Sequence, residues 1–298
     1  MGTIFTHSGV FHADDVFSVA VARLAEFGPK VQRVRQLPVE FSPQNGDIAV
    51  DVGGGYEPAQ HLFDHHQRNG ADDGWAALGK VWNSFGPKIC ESERVAKRVW
   101  DTLLRSLNDA DIAKKDWEPI SPDLRHVSGS LLIATMNPPF GTPPEAWDAA
   151  FEVACAAASV ALSGAIHQAK AYSEMRDVML HSIPHLDGRV LSLSKGGPWQ
   201  EHIFELGLDD TLYVIYPSER GGFCLQAVPD APGSFGMRKA LPAFWKGLRG
   251  AELADFTGLS QHGSATFCHP GLFIGGAETL EDTLQLAELA VEAEVINV

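Results

Sequence analysis

Little in this sequence is basic. Twenty-three Lys and Arg residues face 38 Asp and Glu in 298 residues, a formal charge of −15. That balance speaks against a conventional duplex nucleic-acid binder, which uses a basic surface to displace counterions from phosphates. Cysteine is scarce as well. Cys90, Cys155, Cys224 and Cys268 lie far apart and form no Cys-x-x-Cys pair. Their spacing argues against a zinc ribbon or a disulfide framework and fits a reducing cytoplasm. No uninterrupted apolar run reaches the roughly 18 residues that span a bilayer, so no transmembrane helix is expected. Residues 1–15 have no basic n-region and meet two acids by Asp15, so no signal peptide is expected either. With 45% apolar and 20% charged residues the chain reads as globular, and its length suits two domains with separate cores.

Histidine is what the sequence has in unusual measure. Five of its twelve histidines, His7, His12, His61, His65 and His66, each lie close to an aspartate. Such a chain is a candidate metal protein.

Residues 3–6 form a short β-favouring run, followed by a loop and an apolar-periodic helix over 14–27 that stops at Gly28-Pro29. Asp14 or Asp15 suits the N-cap of that helix. Strands are predicted at 31–34 and 47–52, and Leu62-Phe63 runs into Asp64-His65-His66. Helices are expected at 75–85 and 92–107. Strands alternating with helices imply a parallel α/β sheet, in which ligands sit beyond the carboxyl ends of the strands. The prolines and glycine of 138–144 mark a break, and an Ala-rich helix over about 145–179 follows. The resulting division is a metal-binding domain at 1–140, a connecting helix at 141–182 and a smaller α+β domain at 183–298. In the last part, strands are expected at 189–193 and 212–216, a hairpin partner at 222–228, and short helices at 198–206 and 242–248. A short strand at 266–268, a glycine-rich stretch and a final helix over 279–293 capped by Thr279 complete the chain.

His7, Asp51 and Asp64–His66 fall at or just after predicted strand ends, with His12 and Asp14 in the loop and helix start that follow His7. Each alone has an ordinary use: His7 in a loop, Asp14 as a helix cap, Asp51 in a glycine turn with Gly53-Gly54-Gly55. Together they suit divalent ions, and a central Asp51, ending the interior strand Ile48-Ala49-Val50, is placed to bridge two of them.

These residues carry a resemblance. Thr6-His7-Ser-Gly-Val-Phe-His12-Ala-Asp14-Asp15, then Asp51-Val-Gly-Gly-Gly-Tyr56, then Asp64-His65-His66-Gln67-Arg68 resemble the MYG exonuclease family, a branch of the DHH phosphoesterase superfamily. The likeness continues through Pro198-Trp199-Gln200-Glu201-His202, Gln226-Ala-Val-Pro229, Pro232-Gly-Ser-Phe235, Arg238-Lys239, Trp245-x-Gly-Leu-Arg249 and Phe267-x-His269 with Ile274-Gly275-Gly276. It implies a DHH-type parallel-sheet domain joined by a long helix to a C-terminal substrate-binding domain. It further implies that His7, His12 and Asp51 hold one ion, and that Asp14, Asp51, His65 and a fourth aspartate hold the other. A histidine, His12, stands where many relatives have aspartate. The usual Asp-Asn pair of the fourth motif is absent, so Asp111 is the best match and Asp109 its rival. Asp51 and His66 would be the catalytic residues, with His66 on the scissile phosphate or the nucleophile and Asp64 supporting His65. Asp15 reads as a helix-start acid.

The resemblance implies a metal-dependent 3′-to-5′ exonuclease acting on single-stranded RNA or short oligonucleotides. Two Mn²⁺ ions, or Mg²⁺, would activate water and screen the phosphate. Arg238 and Lys239 would clamp phosphates, with Arg249 as a further candidate, Gly275-Gly276 would offer backbone N–H groups, and His269 would donate to a phosphate or hydroxyl. Trp199 and Trp245 suit either base stacking or a core. The alternatives are a phosphatase of pyrophosphate or a nucleoside bisphosphate, and a non-catalytic binder that keeps the fold. The oligomeric state stays open, a homodimer included. Bound ions would reverse the acidic field locally, while the remaining acidity favours short or single-stranded substrates.

Overall fold

A computed structural model describes residues 2–114, 127–259 and 265–293. It is a mixed α/β protein with two mixed sheets. Two compact units emerge, Met1–Lys170 and Ala171–Val298.

In the first unit β1 (Ile4–His7), β2 (Val31–Val34), β3 (Ile48–Val50), β4 (Tyr56–Glu57) and β5 (Leu62–Phe63) form a sheet in the order β2-β1-β3-β5-β4. All neighbours are parallel except β4, which runs antiparallel to β5. The all-apolar β3 is fully buried, as befits a central parallel strand covered on both faces. Ile4, Ile48, Val50 and Phe63 face a helical layer of α1 (Ala13–Leu24) and α2 (Ala77–Cys90). Phe5, Ala49 and Val52 face the other way, where Leu37 and Phe41 of the β2–β3 connection cover them.

Two helices depart from the expected lengths. The α2 helix passes through Pro87 to Cys90 instead of stopping near residue 85. Pro87 removes the bond to the carbonyl of Asn83, an exposed residue. The single helix expected over 92–107 is three pieces: α3 (Glu93–Val99), a π-helical turn at Trp100–Leu104, and α4 (Arg105–Asp111). After the short α5 (Gly129–Ala134) comes α6 (Pro144–Leu180), close to the expected bounds.

The α6 helix also corrects the expectation that nothing here is apolar enough to span a membrane. An 18-residue window of it has a mean hydropathy of 1.7. Ser, Gly and His interrupt every strictly apolar run but leave that mean high. A third of the window is buried, and core helices of soluble proteins share such a composition. Phe151, Ala154, Cys155, Ala158, Leu162, Ile166 and Ala169 form a stripe of helical period packed into the core of the first unit.

The second unit has a sheet of β6 (Ile183–His185), β7 (Val190–Ser192), β8 (Tyr213–Pro217), β9 (Phe223–Ala227), β10 (Ala265–Cys268) and β11 (Ile274–Ala277), ordered β10-β11-β9-β8-β7-β6. Only β7 and β8 pair in parallel; β8 and β9 form the expected hairpin. The glycine-rich stretch is therefore strand β11, and β6 is an edge strand the sequence pattern did not show. Helices α7 (Gln200–Glu205), α8 (Gly250–Thr257) and α9 (Leu280–Glu292) pack on this sheet, and Thr279 caps α9 through Asp282 N–H. The helix expected at 242–248 shrinks to a 3₁₀ turn, Ala243–Trp245.

Candidate metal centre

His7 is the last residue of β1, Asp51 follows β3, and Asp64-His65-His66 follow β5. From β1 the chain moves to β2 on one side and returns as β3 on the other. The carboxyl ends of β1 and β3 thus flank the switch point where open parallel sheets bind ligands. Asp51 holds a left-handed backbone, φ 56°. Asp tolerates that region better than most residues, and such a conformation at a strand end is typical of functional positions. The turn continues through Gly53, where a Cβ would lie 2.6 Å from the Leu62 side chain. It brings the Gly54 N–H to Asp64 Oδ2 at 2.6 Å.

Three groups of possible ligand atoms converge among the described residues. They are His7, Asp15 and Asp51; Asp51, Asp64, His65 and His66; and Asp14, His65 and Asp111. His7 Nε2 is 3.1 Å from Asp15 Oδ2 and 3.4 Å from Asp51 Oδ2. Asp51 Oδ1 lies 3.4 Å from His65 Nδ1 and 3.3 Å from His66 Nδ1. His65 Nε2 reaches Asp111 Oδ2 at 3.1 Å. The backbone fixes His65: Ala77 N–H at the start of α2 donates to its Nδ1, 3.2 Å away, which leaves Nε2 toward Asp111. The same helix start holds the fully buried Asp14, whose oxygens accept from Ala77 and Leu78.

The electrostatics call for cations. Asp51 Oδ1 is buried without a hydrogen-bond partner, a costly state for a carboxylate oxygen, and the buried Asp15 Oδ2 faces the His7 ring at 3.1 Å. Burial, with the charges of Asp15, Asp111 and Asp64, outweighs His7 and lifts the Asp51 pKa to about 8. Burial and the charges of Asp51 and Asp111 likewise push the Asp14 pKa well up. For His7, burial works downward, but the hydrogen bond to Asp15 and the charges of Asp15 and Asp51 win and raise it to about 9. Asp64 is the exception. Although burial pushes upward, N–H donors from Gly54 and His66 and the His66 ring hold its pKa below the ordinary value. A site that must keep protons to stay neutral is one that divalent ions can neutralise instead, and its oxygen and imidazole donors suit Mn²⁺, Mg²⁺ or Zn²⁺.

The geometry does not bring every expected residue together. His12 is an exposed residue at the N-cap of α1; it lines the cavity over the cluster but belongs to none of the three groups, whereas Asp15 stands with His7 and Asp51. Neither Asp14 nor Asp15 is the cap residue, but Asp15 Oδ1 accepts from His12 N–H at 2.8 Å. Asp15 thus closes the helix start with one oxygen and turns the other to His7. Asp64 supports His66, at 2.8 Å, and not the ring of His65. Of the two fourth-motif choices, Asp111 reaches the cluster; Asp109 faces Asn108 and Arg105.

In the second unit the expected phosphate clamps are otherwise engaged. Arg238 Nη1 donates to the carbonyls of Leu208, Asp209 and Thr211. Lys239 Nζ donates to the carbonyls of Val291 and Ala293 at the end of α9. Gly275 and Gly276 lie within β11, where a Cβ on Gly276 would come 2.3 Å from the Phe223 carbonyl oxygen. They serve close strand approach, not an anion loop. Trp199 and Trp245 are buried and belong to the core, not to a stacking surface. His269 does line a cavity, of about 920 Å³, with Lys195, Arg220 and Arg249. Lys195 and Arg220 escaped sequence reasoning because no motif surrounds them.

A sequence model of the Uncharacterised protein family (UPF0160), MYG1_exonuc, matches residues 3–291. The chain is 28% identical to the MYG1 exonuclease of Mus musculus over 95% of its own length and 83% of that protein's. It is also 28% identical to the MYG1 exonuclease of Homo sapiens, over 95% and 84%. With the MYG1 protein of Schizosaccharomyces pombe it shares 28% identity over 97% of each chain. From Thr3, just before the first strand, to Val291 in the last helix, and so including every residue of the candidate centre, the chain belongs to this MYG1 family.

Proposed function

We propose that the protein is a metal-dependent phosphodiesterase of DHH type that removes nucleotides from single-stranded RNA or short oligonucleotides. The observation that carries this reading is the meeting of three His/Asp groups, two of them sharing Asp51 and two sharing His65, around buried carboxylate oxygens. The exonuclease names of the mouse and human relatives agree with it. One divalent ion would be held by His7, Asp15 and Asp51 and a second by Asp14, His65 and Asp111. Mn²⁺ suits this mixed oxygen and imidazole set, and Mg²⁺ is the alternative. Such ions supply Lewis-acid charge to a phosphodiester and lower the pKa of water.

The protein's own groups do the rest. Asp64 accepts from three donors through Oδ1 and from Gly54 through Oδ2, so it is rigid. It orients the His66 ring, which is 61% exposed and so able to meet a substrate and hold or deliver a proton there. Ala77 N–H steadies the His65 ring. The cysteines take no part, since burial raises the thiol pKa of all four.

The test is purified full chain with Mn²⁺ on a labelled RNA ladder, a DNA ladder and pyrophosphate. Stepwise shortening of RNA supports the reading. Turnover of pyrophosphate alone would make the protein a small-molecule phosphatase, and binding without turnover would make it a non-catalytic member.

A further inference from the structure

Two cavities adjoin at His7. One, of about 820 Å³, lies over the candidate metal centre and is lined by His7, Asp51, Asp64, His66 and Arg35. The other, of about 660 Å³, is lined by His7, Arg33, Arg35 and Trp147. Each falls in the range of about 300–1,000 Å³ typical of small-ligand sites. Because His7 and Arg35 line both, the two cavities meet at these residues.

The two arginines lining these cavities differ in use. Arg33 pairs with Asp148 at 3.3 Å, donates to the Gly9 carbonyl and lies 4.7 Å over the Phe151 ring; its side chain is 3% exposed. It holds the wall. Arg35 is exposed just beyond β2, and among the described residues its side chain has no ion pair or hydrogen bond, although carboxylates crowd the same cavity. Once cations neutralise the carboxylates of the metal centre, Arg35 is placed to pair with an incoming anion. Farther along, Trp147 Nε1 donates to the Thr142 carbonyl at 3.2 Å, which pins a half-buried indole in the second cavity. A guanidinium followed by an aromatic ring, beside a phosphate-cleaving centre, is the pairing by which proteins hold single-stranded nucleic acid.

We propose that the Arg35–Trp147 cavity receives the nucleotide adjoining the scissile phosphate, with Arg35 on a phosphate and Trp147 against a base. The substrate class is then an oligonucleotide of at least two units. This rests on the reading of the metal centre as a phosphodiester site, but it does not depend on the rate of cleavage.

The experiment measures equilibrium binding of UMP and of a phosphorothioate-linked uridine dinucleotide, 5′-phosphorylated, to the full chain with Ca²⁺ to suppress turnover. Wild type should bind the dinucleotide at least about tenfold more tightly than UMP, the scale of one stacked base. Trp147→Ala should erase that advantage and leave UMP affinity within about twofold, while Trp147→Phe keeps most of it. Arg35→Ala should weaken the dinucleotide about tenfold, with partial recovery in Arg35→Lys. If Trp147→Ala does not fold, Trp147→Leu against Trp147→Phe carries the comparison. Equal affinity for UMP and dinucleotide, or an unchanged ratio in the Trp147 variants, would overturn the proposal. RNA shortening by wild type is scored separately, so a protein that binds as described but cleaves nothing loses the hydrolase reading and keeps this one.

Discussion

Loading divalent ions onto the metal-free protein should release protons. At pH 7 an Asp51 carboxyl with a pKa near 8 is about nine-tenths protonated, and a His7 near 9 is almost wholly so. Both must give up a proton to ligate, so about two protons leave near neutral pH. The apparent affinity for Mn²⁺ should then rise on the order of 100-fold per pH unit around pH 7 and flatten above about pH 9. Titration calorimetry in Pipes, Hepes and Tris reads the proton count as the slope of heat against buffer ionisation enthalpy. The stability of the metal-free protein follows from the same protons. Between the ordinary carboxylate pKa and about 8, folded Asp51 keeps a proton that the unfolded chain has lost. Between 6.5 and about 9 the same holds for His7. In both windows the folded state binds more protons, so metal-free stability falls as pH rises. Bound Mn²⁺ should offset this, giving a larger thermal shift at pH 8 than at pH 6. A zero slope against buffer enthalpy, or proton uptake, would refute the electrostatic account of the site.

Three further outcomes are expected. Asp15→Asn should weaken Mn²⁺ binding more than His12→Gln does, because Asp15 Oδ2 faces His7 while His12 stands outside the ligand groups; the reverse order would restore the first-motif histidine as a ligand. Lys239→Met should lower unfolding stability by about 1–2 kcal/mol through lost bonds to the α9 carbonyls, with the RNA KM unchanged; a KM effect without a stability effect would make it a phosphate clamp after all. Gly276→Ala should destabilise by about 1–3 kcal/mol in chemical denaturation, because the new methyl meets the Phe223 carbonyl; a neutral change would show that β9 and β11 part easily.

Much of the centre was legible in the sequence because it is built on strand ends. Apolar runs closing on His7, Asp51 and Asp64–His66 announce a parallel sheet with polar residues at one edge, and the sheet order bears this out. The dual use of Asp15 was hidden, since a sequence position gives one role and this carboxylate divides two between its oxygens. Arg238 and Lys239 misled for another reason. Their carbonyl partners lie between 27 and 54 residues away, and a basic pair does not reveal whether it meets a ligand or its own backbone. Gly275-Gly276 had the composition of an anion loop but the register of a strand beside Leu225 and Cys224. The path from Arg35 to Trp147 joins β2 to the start of α6, a pairing visible only once the fold is known.

The central claim is that Asp51 joins two ions in a phosphodiesterase centre, and the most direct test counts Mn²⁺ per chain alongside RNA shortening, in wild type and Asp51→Asn. The account predicts two bound ions and stepwise shortening in wild type, and loss of tight binding with at least about a hundredfold drop in rate in Asp51→Asn. An Asp51→Asn protein that still binds two ions and shortens RNA at the wild-type rate would contradict it.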